Sequence, residues 1–194
     1  MKTLYLASAS PRRNELLRQV GITPIIVPSS FNEAIFLDGD PQKITMDYAL
    51  GKVQHAFPLP QPGLCIGADT VVAVRGQVLA KPESFEHACE MLRELSGVEH
   101  EVVTGIAIAD SPSHYLVEYE VTKVRFRQLS EADIAAYVST GEPMDKAGAY
   151  AIQGKAAIFV EGISGCYSNV VGLPLARLNV MLNKWGLNLT SAWR

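Results

Sequence analysis

A chain of 194 residues with 48% hydrophobic composition can bury a substantial core, so a single domain over residues 1–194, as one unit or as two lobes sharing a sheet, is expected. The balance of 17 Lys plus Arg against 20 Asp plus Glu offers no general attraction to an extended nucleic acid, although a small anion needs only a local basic cluster. No apolar run approaches transmembrane length, and residues 1–7 lead straight into a strand pattern without a signal-peptide core, so no membrane partner is expected. Cys65, Cys89 and Cys166 are odd in number, widely spaced and without a zinc-type His neighbour, which reads as a reducing, cytoplasmic setting with no structural metal.

In chain order, residues 4–7 form a short apolar strand pattern that ends at a Ser-Ala-Ser-Pro turn signal. Residues 12–20 follow with helical spacing, with Leu16, Leu17 and Val20 on the apolar face. Gly21 closes that helix, and 22–28 reads as a second strand. Residues 41–57 predict a helix with Ile44, Tyr48, Leu50 and Val53 turned inward, broken by the stretch 58–63. The most strand-like segment is 64–74, and Arg75-Gly76 is a hairpin turn into 78–80. Ser84 caps a helix that runs to Leu95 and stops at Ser96-Gly97. Residues 101–109 and 115–126 pair as antiparallel strands, and Ser130 with Asp133 forms a capping box for a helix to Val138. A loop follows, then a strand at 156–160 and a last helix at 174–185. The alternation implies an α/β fold, a mixed β-sheet flanked by helices.

Chemistry concentrates first at Ser8-Ala9-Ser10-Pro11-Arg12-Arg13. Ser10 is placed to accept from the free amides of the first helical turn, Pro11 suits the first helical position, and Arg12 and Arg13 stand at the positive end of the helix dipole. Two like charges there are stable when an anion answers them, so amides, hydroxyls and guanidinium groups together make a phosphate cradle without a glycine-rich loop. The alternative is an ordinary Ser-Pro cap beside two solvated arginines. Second, Asp69 lies within the apolar run Cys65 to Val72, where an uncompensated carboxylate costs several kcal/mol, about 3–5, unless a metal, cation or hydrogen bonds answer it. Thr70, next to it, faces the opposite side of a regular strand. The third group is dispersed: Glu33, Lys52, Lys81 and the Asp145-Lys146 pair, each of a type that usually sits on a solvated face but that phosphoanhydride cleavage requires. Gln153, in Ala149-Tyr150-Ala151-Ile152-Gln153-Gly154, carries both a donor and an acceptor that match the imide edge of uracil or thymine, or else caps a turn before Gly154. Cys166 and the histidines have no triad-like neighbours, so covalent catalysis lacks support.

Taken in order, Leu6 to Leu17, Gly67-Ala68-Asp69-Thr70, Lys81-Pro82, Leu95-Ser96-Gly97, and Asp145-Lys146-Ala147-Gly148-Ala149-Tyr150 with Ile152-Gln153-Gly154 resemble the Maf family of nucleotide pyrophosphatases. The likeness runs from Leu4 to about Leu182. It implies an elongated α/β fold similar to inosine triphosphate pyrophosphatases, with the substrate in a central cleft between two lobes, homodimers common, and hydrolysis of a nucleoside triphosphate to monophosphate and pyrophosphate with a divalent metal, magnesium or manganese. On this resemblance Asp69 is the catalytic carboxylate or a metal ligand, and Glu33 is a second carboxylate and metal ligand, although the acidic residue often found just before it is Asn32 here. Ser8, Ser10, Arg12, Arg13, Lys52, Lys81 and Lys146 match polar and basic positions suited to triphosphate binding and charge neutralisation. Arg12, Thr70 and Gln153 match the three positions that mark the dTTP/UTP type. The 7-methyl-GTP type instead carries Trp, Gln and Glu there, which suits a cationic base. A nucleotide-sensing regulator of septum formation is the non-enzymatic alternative, and a carboxylate among the basic residues weighs against it.

Overall fold

The computed structural model describes residues 2–32 and 39–193. Strand β1 (Thr3–Leu6) feeds through the Ser-Pro turn into helix α1 (Pro11–Gln19), whose first position is the proline. The expected strand at 22–28 contracts to β2 (Ile25–Ile26), because only these residues find a partner, in parallel with Tyr5 and Leu6. Helix α2 (Pro41–Gln54) starts at Asp40, whose side chain accepts from Gln42 N. Its inward face is broader than the spacing predicts: Ile44, Thr45, Ala49, Gly51, Lys52 and Val53 are buried, while Tyr48 and Leu50 are half-buried.

Strand β3 (Gly63–Val74) turns at Arg75-Gly76, both with positive φ, into β4 (Gln77–Leu79). Helix α3 (Phe85–Leu95) is capped by Ser84 through His87 N. Strands β5 (Glu99–Ser111) and β6 (His114–Phe126) form the antiparallel pair, and α4 (Glu131–Val138) carries the full Ser130/Asp133 capping box. The expected strand at 156–160 is instead a 3-10 turn over Lys155–Phe159, and pairing begins only at β7 (Val160–Ser164), against Lys123 to Phe126. A short helix α5 (Tyr167–Val171), too brief to show a hydrophobic period, precedes α6 (Leu175–Lys184), for which Pro174 is the cap rather than a helical residue.

The strands form one seven-stranded mixed sheet in the order β2-β1-β3-β5-β6-β7, with β4 also on β3. Leu4, Leu6, Leu64 and Ile66 pack with Leu16 and Leu17 of α1 and Leu178, Met181 and Leu182 of α6. At the other end of the same strands Val72, Val74, Val102 and Phe126 pack with α3 and α4. Two cores therefore share β3 and β5 on this face, two smaller ones lie under α2 on the opposite face, around Val53 and Cys65 and around Ile44 and Val71, and Asp69-Thr70 falls between the members of each pair.

His100 is buried in the second core, with Nε2 2.8 Å from Tyr150 Oη and its ring edge-on to Phe126 at 5.0 Å. Burial, opposed only weakly by the Glu99 charge, pushes the imidazole down from 6.5 to about 4, so the folded protein refuses a proton that the unfolded chain accepts. The linked stability is fully present above the unfolded value and is lost as pH falls toward the folded one, by ~3 kcal/mol between 6.5 and 4. In urea unfolding across that window His100→Gln should lose less stability on acidification than the parent; equal slopes would show that His100 is not the group responsible.

Candidate active site

β1 pairs with β3 only through Ile66, and β4 pairs with it only from Val72 onward. Among the described residues, 67–71 have no strand on that edge, and a cavity of about 670 Å³ opens in the gap. Because the opening is at the edge of the strand rather than on one face, Asp69 and Thr70 both line it although their side chains leave opposite sides of the sheet. The remaining wall comes from the turn into α1 (Ala7 to Arg13), from Tyr48 and Lys52 of α2, from Lys81 after β4, from the loop carrying Lys146 and Gln153, and from Gly172 after α5.

On one side of the sheet, Lys52 Nζ meets Asp69 Oδ1 at 2.6 Å and reaches Ala68 O at 3.4 Å. Both side chains are about nine-tenths buried, at 10% and 11% exposure, so the pair is shielded from solvent far more than a surface ion pair. Asp69 Oδ2 accepts no hydrogen bond among the described residues. The pair exists because α2 lies directly on the sheet backbone. A Cβ at Gly67 would stand 2.6 Å from Ala49 O, and one at Gly105 would overlap the Thr45 carbonyl. These two bare positions let the helix descend until Lys52 reaches Asp69.

On the other side, Arg13 ties three elements together: Nε donates to Gly172 O at 2.8 Å, Nη1 to Ser8 Oγ at 3.1 Å and Nη2 to Thr70 Oγ1 at 3.2 Å. Thr70 Oγ1 also bonds Thr104 Oγ1 at 2.9 Å, so its hydroxyl is committed to Arg13 and the sheet. Ser10 occupies the cap position of α1 but its side chain makes no cap bond, contrary to expectation; Ser8 Oγ instead accepts from Ser10 N at 3.2 Å. The turn places the Ser8 oxygen inside the bend, where both Ser10 N and Arg13 reach it. Arg12, by contrast, forms no hydrogen bond or ion pair among the described residues.

Lys81 is exposed at the cavity rim. Lys146 donates to Asp145; burial at the wall works against the Asp145 charge, but that bond and the charges of Lys146 and Arg12 prevail and hold its carboxyl below the ordinary value. Gln153 is exposed and lines the cavity. The fold thus brings Ser8, Ser10, Arg12, Arg13, Lys52, Asp69, Thr70, Lys81, Lys146 and Gln153 to one opening, while Glu33 lies outside the described residues. The sequence reading missed the Gly172 carbonyl and the cavity walls Phe31, Tyr48 and Tyr150. The Gly172-Leu173-Pro174 turn signal was legible, but not that its carbonyl faces Arg13 from 159 residues away. Cys65, the fully buried thiol of β3, is pushed by burial up to about 12 and is inert at neutral pH.

Gly105→Ala tests the positioning of α2. It should destabilise the protein by about 1–3 kcal/mol in urea titration, because the added methyl must lift α2 off the sheet. A crystal structure of the variant should show Lys52 drawn away from Asp69; parent-like stability would refute the close-approach argument.

The model of the family described as "Maf-like protein" matches residues 3–185. A dTTP/UTP pyrophosphatase of Pelotomaculum thermopropionicum is 48% identical over 190 residues, covering 97% of this chain and 100% of that one. A second, of Ruminiclostridium cellulolyticum, is 46% identical over 186 residues, covering 95% and 96% respectively. Among solved structures the Ham1 protein from Coxiella burnetii is similar over 95% of this chain and 100% of that one, with a TM-score of 0.53. Its sequence identity of 15% makes this a likeness of fold alone.

Proposed function

Because this chain belongs to the Maf family, we propose that it is a nucleoside triphosphate pyrophosphatase that hydrolyses dTTP and UTP to the monophosphate and pyrophosphate. The observation that carries the reading is the buried Lys52–Asp69 pair, in which one carboxylate oxygen has no hydrogen-bond partner among the described residues, at the wall of a cavity lined by Ser8, Arg12 and Arg13. Lys52 fixes the carboxylate through Oδ1, so Oδ2 is held in one orientation and can take the proton of a water attacking the α phosphorus. Arg12, Lys81 and Lys146 line the space that the triphosphate oxygens would fill and balance charge on the departing pyrophosphate. Arg13, already anchored at three points, presents a fixed guanidinium whose reorganisation cost is met on folding.

A divalent cation, magnesium or manganese, suits this wall. Among the described residues no group of three or more His, Cys, Asp or Glu side chains is arranged to hold a metal ion. Magnesium commonly uses one or two carboxylates and completes its shell with water and substrate phosphates. Asp69 Oδ2 is the available oxygen donor, and Glu33 is the second carboxylate that we assign to this role. When bound, the cation would neutralise phosphate charge and polarise the scissile anhydride.

For the base, Gln153 offers a donor and an acceptor at the cavity edge, the complement of a uracil or thymine imide. Thr70 contributes indirectly: its hydroxyl is spent holding Arg13, so a larger residue there would change the arginine rather than only the base contact. No described helix is long and apolar enough to cross a membrane, and the free thiols Cys65, Cys89 and Cys166 suit a cytoplasmic nucleotide pool.

A panel of nucleoside triphosphates with magnesium or manganese, followed for pyrophosphate and nucleoside product, tests the reaction: intact nucleotide throughout would point to the sensing alternative. Asp69→Asn keeps the shape and an acceptor for Lys52 and should lower kcat by roughly 100- to 10,000-fold in a folded protein. Parent-like turnover would remove Asp69 from the mechanism. Gln153→Glu sets a carboxylate against the base carbonyl and should cut kcat/KM for dTTP and UTP by about tenfold or more relative to purine triphosphates. An unchanged ranking, or a parent enzyme that prefers 7-methyl-GTP, would refute the pyrimidine assignment.

A further inference from the structure

The Gln153 side chain is exposed and forms no hydrogen bond among the described residues, so its direction is set by the backbone on either side. That backbone is held from outside the cavity. Gly154 N donates to Ala151 O at 3.0 Å, closing a turn that has Gln153 near its apex. Lys155 N, immediately after the turn, donates to both carboxylate oxygens of Glu142, at 3.0 and 3.2 Å. Ala151 N, at its start, donates to Tyr137 Oη at 3.3 Å, and Tyr137 Oη donates in turn to Glu142 Oε1 at 3.0 Å.

The bonds form a closed circuit: Glu142 to Lys155, back through the turn to Ala151, to Tyr137 of α4, and to Glu142 again. The carboxylate lies so flat against the turn that a Cβ on Gly154 would overlap it. Tyr137 is 4% exposed; burial first, and then the Glu142 charge, raise its phenol above the ordinary value, so it stays a hydrogen-bond donor at neutral pH. Neither Glu142 nor Tyr137 lines the cavity.

We propose that Glu142, acting through Tyr137 and the backbone of Lys155, is a positioning residue for base recognition that holds the Gln153 turn in its reading orientation. The inference rests on Gln153 reading a pyrimidine. A loop that carries a specificity group must be fixed before the base arrives, or the cost of ordering it is subtracted from discrimination. An ordinary structural brace, in contrast, would affect all substrates alike; a selective effect is expected here because Arg12, Arg13 and Lys81 lie on other elements, and Lys146, on the same loop, is tied to Asp145 and not to the Glu142 circuit.

The test is a kinetic panel of dTTP, UTP and a purine triphosphate on the parent, Glu142→Ala, Glu142→Gln, Tyr137→Phe and Gln153→Glu. Glu142→Ala should raise KM for dTTP and UTP about tenfold, with kcat within about twofold and purine KM little changed, as expected for one charge-assisted bond. Glu142→Gln keeps an acceptor oxygen for Lys155 N and should restore most of the ranking. If Glu142→Ala does not fold, Tyr137→Phe carries the test, with an expected loss of about threefold in the same ratio. A uniform loss on every nucleotide, an unchanged ranking, or no recovery in Glu142→Gln overturns the proposal. If Gln153→Glu alters the ranking and the Glu142 and Tyr137 variants do not, only the clamp fails; an inert parent, or an indifferent Gln153→Glu, overturns the pyrimidine reading and the clamp with it.

Discussion

The structure turns on the contact between Lys52 and Asp69, a charged pair nearly out of solvent under α2, between the cluster of Val53 and Cys65 and that of Ile44 and Val71. Burying two ions costs several kcal/mol each, and only close geometry offsets it. That geometry comes from bare backbone: α2 rests on Gly67 and Gly105, and the helix that supplies Ile44 and Val53 to the core delivers Lys52 to the site. Packing and chemistry therefore share one helix. A change that lifts α2 acts on both.

The second constraint is the open edge of β3. A sheet edge left unpaired in a protein interior must find partners for its backbone or border a polar space. Here β1 stops at Leu6, opposite Ile66, and antiparallel β4 reaches only as far as Leu79, opposite Val72, and the interval is the cavity. An edge site differs from a face site in that successive residues of one strand serve it from both sides. Asp69 faces Lys52, whereas Thr70 faces Arg13, and the two halves of the proposed chemistry, proton transfer and phosphate binding, are separated by the thickness of the sheet.

Arg13 illustrates how such a site is made rigid. Its bonds to Ser8, Thr70 and Gly172 link α1, β3 and the end of α5, so three distant segments share one guanidinium. Arg12, its neighbour, has no such ties among the described residues. The pair that looks equivalent in sequence divides into a structural anchor and a charge that only lines the cavity. A comparable division holds for the serines: Ser8 takes the bonds and Ser10, at the cap position, takes none through its side chain.

Much of this protein was legible in its chain. Local signals sufficed for β3, α3, the β5–β6 pair and the α4 capping box, because caps, turns and period-2 patterns are short-range physics. The Ser8 to Arg13 segment and Asp69 stood out because each breaks a local pattern at a cost that needs an answer, and Gln153 because its amide carries both a donor and an acceptor. Where pairing depends on a distant partner, the reading failed. β2 shrank to the two residues that β1 can pair, residues 155–159 became a 3-10 turn, and α5 was too short to announce itself. From the residues alone Lys52 was one of several dispersed candidate charges, and its contact with Asp69 was not legible, since nothing within α2 reveals that two glycines on other strands lower it onto that carboxylate. The sequence by itself determined which residue types could serve a triphosphate. Which of them meet, Lys52 with Asp69 and Arg13 with Thr70 and Gly172, was decided only by tertiary packing, because hydrogen bonds spanning 17, 57 and 159 positions have no local signature.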